Sequence, residues 1–266
     1  MLIDLQLSAA TMPWPDLRDG VLAAEDAGFD TAWTFDHLSG AVLGGDTMLE
    51  CWTLTGALAA RTERIGLGTL VANVANRPPG VLAAAAASAQ LISGGRFRLG
   101  LGAGTSPASQ WAAEQRALDM PVRSPMADRH GALVDALDLF DELWRADRHE
   151  RFAGFARPEP RPPIVLGVNS VALARIAGHR CDGVNVRRSH PDAERFLAAA
   201  ADARSARADC RGPWDASVWA RWDEALLHPD HPDRLRWASL GVGRLILTAL
   251  EPLAAARVAA AASHLR

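Results

Sequence analysis

Residues 65–102 read IGLGTLVANVANRPPGVLAAAAASAQLISGGRFRLGLG. Ile65–Val71 is a short β-rich run, and Arg96–Leu101 is a second. Between them, Pro78–Pro79 sits where the first turn of a helix tolerates proline, and an alanine-rich stretch follows. Strand, helix and strand in this order make a crossover unit, whose two strands run parallel.

The alternation continues on both sides. Upstream, Leu2–Leu7 reads as strand one. Asp16–Gly28 reads as a helix with Leu17, Val21 and Ala24 on one face and Gly28 as its stop. Thr31–Phe35 is strand two and Glu50–Ala60 a helix. Downstream, Gly102–Arg123 reads as a long, polar, irregular loop. Ser124–Pro125 then opens a helix in which Leu133, Leu137, Phe140 and Trp144 keep the helical period. A linker, Arg157–Pro163, leads to strand five, Ile164–Gly167, and a helix, Ser170–Gly178. Strand six is Gly183–Val186, followed by a helix over Asp192–Arg207. Strand seven is Ala216–Ala220, strand eight Arg244–Leu247, with helices at Asp233–Leu240 and Pro252–His264. Eight such units in 266 residues predict an α/β fold, a closed (β/α)8 TIM barrel over residues 1–266 as a single domain. An open doubly wound sheet is the alternative.

Composition narrows the chemistry. The 28 cationic side chains are all arginine, and the chain has no tyrosine. Without lysine there is no Schiff-base or pyridoxal-phosphate enzyme and no Walker-type phosphate loop. Without tyrosine the Tyr/Lys acid–base pair of aldo-keto and short-chain reductases is excluded. A GC-rich genome, in which lysine and tyrosine codons are scarce, would produce both absences. Whatever the cause, reactivity has to come from His, Asp, Glu, Thr, Ser, Arg or a cofactor. A net charge of −3 offers no footprint for nucleic acid. Cys51, Cys181 and Cys210 form no CxxC pair, which predicts a reducing compartment without disulfides or structural zinc. The N-terminal MLIDLQLSAA lacks a basic leader, and the mostly apolar run Val81–Ile92 is too short to span a bilayer. A soluble cytoplasmic protein without a membrane partner is expected.

In a barrel, reactive groups gather where strands end. His37 is the one histidine at a predicted strand end, beside Asp36. It reads equally as a general acid or base and as a loop-bonded structural histidine. His228-Pro-Asp-His231 reads as a solvated turn, so no metal is expected. Gly100-Leu-Gly-Ala-Gly104-Thr105 fails as a dinucleotide motif, because Thr105 replaces the third glycine and Pro107 follows where a helix should open. Those glycines read instead as room for something flat to approach the backbone. Gly167-Val168-Asn169-Ser170 opens directly into a helix, which suits either an anion site or an ordinary cap.

Several segments in this order resemble the luciferase-like monooxygenase superfamily, in its branch using the deazaflavin coenzyme F420. They are Ala24-Glu-Asp-Ala-Gly-Phe-Asp30, Trp33-Thr-Phe-Asp-His-Leu38 and Leu58-Ala-Ala-Arg-Thr-Glu-Arg-Ile-Gly-Leu-Gly-Thr-Leu-Val71. Arg77-Pro-Pro79, Ser93-Gly-Gly-Arg-Phe-Arg-Leu-Gly-Leu-Gly-Ala-Gly104 and Ala177-Gly-His-Arg-Cys-Asp-Gly183 complete the set. The match is dense over residues 1–105, fair over 125–188 and thin beyond. The resemblance implies catalytic roles for His37 and Asp36, with His37 near the reactive ring carbon. It implies a non-prolyl cis peptide at Leu70-Val71 against the ring face, and Asn73 at the ring's polar edge. Gly104 and Thr105 fall beside the cofactor, and Gly167, Val168, Asn169 and Ser170 would hold its phosphate. Arg77, Arg187 or Arg188 would screen the anionic tail.

Two departures shape the expected chemistry. Thr105 stands where sugar-phosphate dehydrogenases of this branch carry a glutamate, and the lysines that grip a substrate phosphate are absent. The region after strand seven is short, which predicts an open, hydrophobic pocket with Trp14 and Trp111 as candidate walls. The Asp-His-Leu form favours F420 over FMN. The reading is an F420-dependent oxidoreductase moving a hydride to or from a small organic molecule. The alternatives are an FMN-dependent luciferase-like monooxygenase, or a cofactor-binding protein without turnover. By the same resemblance a homodimer is expected.

Overall fold

A computed structural model describes residues 1–207 and 212–265. Eight parallel strands close into a barrel in sequence order, β1 (Leu2–Leu7) pairing with β8 (Arg244–Ala249). The intervening strands are β2 (Thr31–Thr34), β3 (Gly66–Asn73), β4 (Phe97–Gly102), β5 (Ile164–Gly167), β6 (Gly183–Arg187) and β7 (Asp215–Arg221). Closure settles the fold in favour of the TIM barrel over the open sheet.

The helices follow their sequence signals. α1 (Trp14–Ala27) stops at Gly28, whose φ of 96° lets its N–H reach the Ala24 carbonyl. α2 (Cys51–Ala59) is capped by Glu50, which accepts from the Thr53 N–H at 2.8 Å. α3 (Pro79–Ile92) starts on its proline. Three expectations need correction. Ser124 does not cap the helix over Met126–Trp144, whose N-cap is Pro125 without a side-chain cap hydrogen bond. The region 102–123 is not wholly irregular: a 3-10 turn at Gln110–Ala112 runs into a short helix, α4 (Ala113–Ala117). The last helix is interrupted, as α9 (Ala255–Ala260) and α10 (Ala262–Leu265). Between them, α5 (Met126–Trp144), α6 (Val171–Arg180), α7 (Ala193–Ser205) and α8 (Pro232–Ser239) complete the outer ring. Cys210 lies outside the described residues; Cys51 and Cys181 are buried free thiols.

The main core lies between barrel and helices, where strand residues such as Leu67, Leu99 and Leu247 meet Leu58, Leu82 and Phe140. The barrel interior is layered differently. Near the strands' N-terminal ends, Arg244 donates to both oxygens of Asp4 at 2.7 and 2.8 Å and to Asp215 at 3.2 Å. Arg98 donates to the other Asp215 oxygen at 2.6 Å, and the Trp33 indole to Asp4 at 2.6 Å. Burial pushes the Asp4 carboxyl up to about 6, against the pull of Arg244 and Trp33. Trp33, Leu70 and Ile246 form a small apolar layer, with Val71 and Trp219 packed against it. Gln6 ties the layer beneath the mouth together: its amide donates to the Leu70 carbonyl at 2.8 Å. Its oxygen accepts from Trp219 and Thr248 at 2.7 and 3.0 Å.

Candidate active site

The exit of β2 delivers Asp36 and His37 to the barrel mouth, and the end of β3 rises beside them. The β3–β4 register slips between Thr69 and Ala72, and within that bulge the Leu70–Val71 peptide is cis. Gly102 and Gly167, on the next two strands, make room for the bulge. A Cβ on either would come within 2.6 or 2.8 Å of a Val71 methyl. The glycine run therefore serves close approach, as its sequence suggests, but the group it admits at Gly102 is the Val71 side chain.

Asp36 is a buried tie. Its Oδ2 accepts from the Asn73 N–H at 2.9 Å and from Arg77 at 2.8 Å, while Oδ1 has no partner among the described residues. Burial raises its carboxyl pKa, although Arg77 and the Asn73 N–H work the other way. The second arm of Arg77 reaches Glu50 at 2.6 Å, so this guanidinium links the β2 exit to the start of α2. Asn76 donates to the Asp36 carbonyl at 3.1 Å and accepts from Gln115 at 2.9 Å.

His37 stands apart from this tie, with its side chain 21% exposed. Its Nδ1 lies 3.0 Å from Oε1 of Glu114, on α4. The other Glu114 oxygen accepts from the Leu38 and Ser39 N–H groups at 2.8 and 3.1 Å. Burial works to raise the Glu114 carboxyl, but His37 and the two backbone donors outweigh it and hold the pKa below the ordinary value. The Trp111 ring packs against the imidazole with centroids 5.5 Å apart. Sequence reasoning missed Glu114 altogether. The signal available was weak: Ser109 as a cap before the short helix-forming run Ala112–Ala117.

The remaining candidates divide. Asn73 uses its side-chain oxygen on the Ala75 N–H at 2.9 Å, and its amide NH2 makes no hydrogen bond among the described residues. Gly104 carries a φ of 81°, and Asn73, Gly104 and Thr105 share the wall of one small cleft. Val168 is committed elsewhere: its side chain is in the core and its N–H binds the Asn185 carbonyl at 2.9 Å. Ser170 caps α6 through the Leu173 N–H, leaving the Val171 and Ala172 N–H groups without intrahelical acceptors. Trp14 packs on the main core at the start of α1, so only Trp111 stands at the imidazole. His231 caps α8, and no cluster of three potential metal ligands occurs among the described residues.

A model of the luciferase-like monooxygenase family matches residues 2–222. The chain belongs to this family. Among relatives of this luciferase-like chain is an F420-dependent glucose-6-phosphate dehydrogenase of Microbacterium testaceum. It is 29% identical over 246 residues, 85% of this chain and 70% of that enzyme. An F420-dependent hydroxymycolic acid dehydrogenase of Mycobacterium tuberculosis is 29% identical over 198 residues, 70% of this chain and 53% of that one. The chain also spans about half the length of several further relatives carrying the glucose-6-phosphate dehydrogenase name. Among solved structures, an F420-dependent secondary alcohol dehydrogenase in complex with an F420–acetone adduct superposes with a TM-score of 0.80. It covers 100% of this chain and 99% of that one at 14% identity, a likeness of fold.

Proposed function

We propose that this protein is an F420-dependent oxidoreductase acting on a small organic molecule, with His37 moving the proton that accompanies hydride transfer. The observation that carries the reading is His37 at the barrel mouth, backed by the buried carboxylate of Glu114 and packed against the Trp111 ring. The names of the relatives support F420 as the cofactor. Bound F420 supplies the ring carbon that accepts or delivers the hydride. Residues of the mouth fit it. The free N–H groups at the start of α6 suit its phosphate, since a helix N-terminus favours anions. The unused amide of Asn73 suits a polar ring edge, and Asp36 holds the Asn73 backbone at the end of β3.

Of Arg77, Arg187 and Arg188, one is without an ion pair among the described residues. Arg77 is spent on Asp36 and Glu50, and Arg188 on Asp233 at 2.9 and 2.5 Å. Arg187, exposed at the end of β6, has no ion pair among the described residues. Titration with F420 and FMN side by side is expected to give saturable binding of F420 alone. Tight FMN binding with no F420 affinity would sink the reading. Arg187→Ala is expected to weaken F420 roughly 3- to 5-fold at low ionic strength, and less in about 0.5 M salt, as screening of an exposed charge requires.

Thr105 in place of a glutamate, and the absence of lysine, argue against glucose 6-phosphate as substrate. Trp111 beside the imidazole suits a less polar one. The proposal includes a homodimer built on α3. Val81, Leu91 and Ile92 are 56%, 52% and 57% exposed on a helix with no charged residue. An uncovered apolar stripe of this kind marks an association surface. Glutamate at both Leu91 and Ile92 is expected to shift sedimentation from dimer to monomer. A wild-type chain that sediments as a monomer would remove the idea. A cytoplasmic setting belongs to the same reading: two buried thiols are unpaired, and no described helix is long and apolar enough to cross a membrane.

A further inference from the structure

We infer that Glu114 is the positioning residue of His37, fixing which imidazole nitrogen exchanges the proton. The inference rests on the proposed function above for its catalytic meaning, but not for its geometry. A carboxylate held below its ordinary pKa is ionised near neutrality and can only accept. The contact at 3.0 Å therefore requires the hydrogen on Nδ1. Neutral His37 carries its lone pair on Nε2, and Nε2 is the atom that takes up or releases the proton. Glu114 itself is 2% exposed in its side chain and does not reach a substrate; it acts through the ring.

The same carboxylate fixes the ring's position. Its second oxygen grips two successive N–H groups of the loop carrying His37. Gln115, next in α4, donates to Asn76, which in turn holds the Asp36 carbonyl. The loop after β4 thus braces the loop after β2 through charge-assisted bonds on one side and an amide pair on the other. When the imidazole gains its proton at Nε2, the adjacent buried anion is already in place to offset the charge. This gives the chain a buried carboxylate at the histidine.

Glu114→Gln separates this role from a scaffolding one. The glutamine oxygen can still accept from Leu38 and Ser39, while its NH2 group must donate to Nδ1. The hydrogen of neutral His37 is then forced to Nε2. In 15N spectra of histidine-labelled protein, the protonated and unprotonated nitrogen signals of His37 are expected to exchange between Nδ1 and Nε2. F420 affinity is expected to stay within about 3-fold, and kcat to fall at least ~100-fold, the scale of a lost acid–base group. Glu114→Ala provides the second arm: added formate is expected to restore part of its activity, and none to Glu114→Gln. An unchanged 15N pattern in Glu114→Gln with near-normal kcat overturns the inference. A tautomer exchange in a protein that turns over no F420 would keep Glu114 in this role and overturn the function instead.

Discussion

Replacing His37 with alanine is expected to lower kcat for F420-linked turnover by about 10² to 10⁴-fold, the contribution typical of a positioned acid or base. F420 affinity is expected to change little, because the groups suited to the cofactor's phosphate belong to α6 and those suited to its ring edge to Asn73. The comparison that matters is kcat against binding, measured by stopped-flow oxidation of the reduced cofactor and by fluorescence titration. The substitution leaves Glu114 ionised next to a small void, with Leu38 and Ser39 still donating to it, so the loop should stay in place. Asparagine at the same position would preserve a hydrogen bond to Glu114 without a titratable group, and should be as slow as alanine. Loss of binding together with activity would make His37 a structural residue, the competing reading that its sequence position permits.

The largest effect on stability is expected at the other end of the barrel. Arg244→Met leaves Asp4 without its principal partner in a site with no access to water, a change that costs about 3–5 kcal/mol in comparable buried pairs. Asp215 suffers less, since Arg98 still holds its second oxygen. The cost should depend on pH. In the unfolded chain Asp4 ionises near 3.8, and in the native protein near 6. Without Arg244 the native value rises further. At about pH 5 the carboxyl is largely neutral in both folded proteins and the difference between them is smallest. Above 6 the wild-type group ionises against its arginine, while the variant must either take up a proton or bury a bare charge, so the gap widens. Urea unfolding at about pH 5 and pH 7.5 measures this directly. A gap that narrows with rising pH would mean that Asp4 is not the group responsible.

How much of this is legible in the sequence follows from the range over which each feature is encoded. All eight strands are, because each is a short run bounded by its own turn residues, and so are the proline that opens α3 and the Ser170 cap of α6. His37 was legible from its place after β2. Its partner was not: Glu114 lies 77 positions away, on a five-residue helix too short to show a period. The same limit hid the commitment of Arg77 to Asp36 and Glu50, and the tie from Gln6 to a tryptophan 213 positions away. Val168 illustrates the converse. Its motif suggested a free backbone donor, and only the pairing of β5 with β6 reveals that the N–H is taken.

Val71 and the two glycines beneath it have a bearing on descent as well as on packing. Volume at 71 and volume at 102 or 167 are mutually exclusive, since a methyl added to either glycine would occupy the place of a valine methyl. The three positions form one steric unit spread over three strands. A lineage could exchange the bulky member for small ones in the opposite places only by passing through a sequence whose floor is either crowded or hollow. A side chain added at Gly102 or Gly167 is therefore expected to be tolerated only together with a smaller residue at 71.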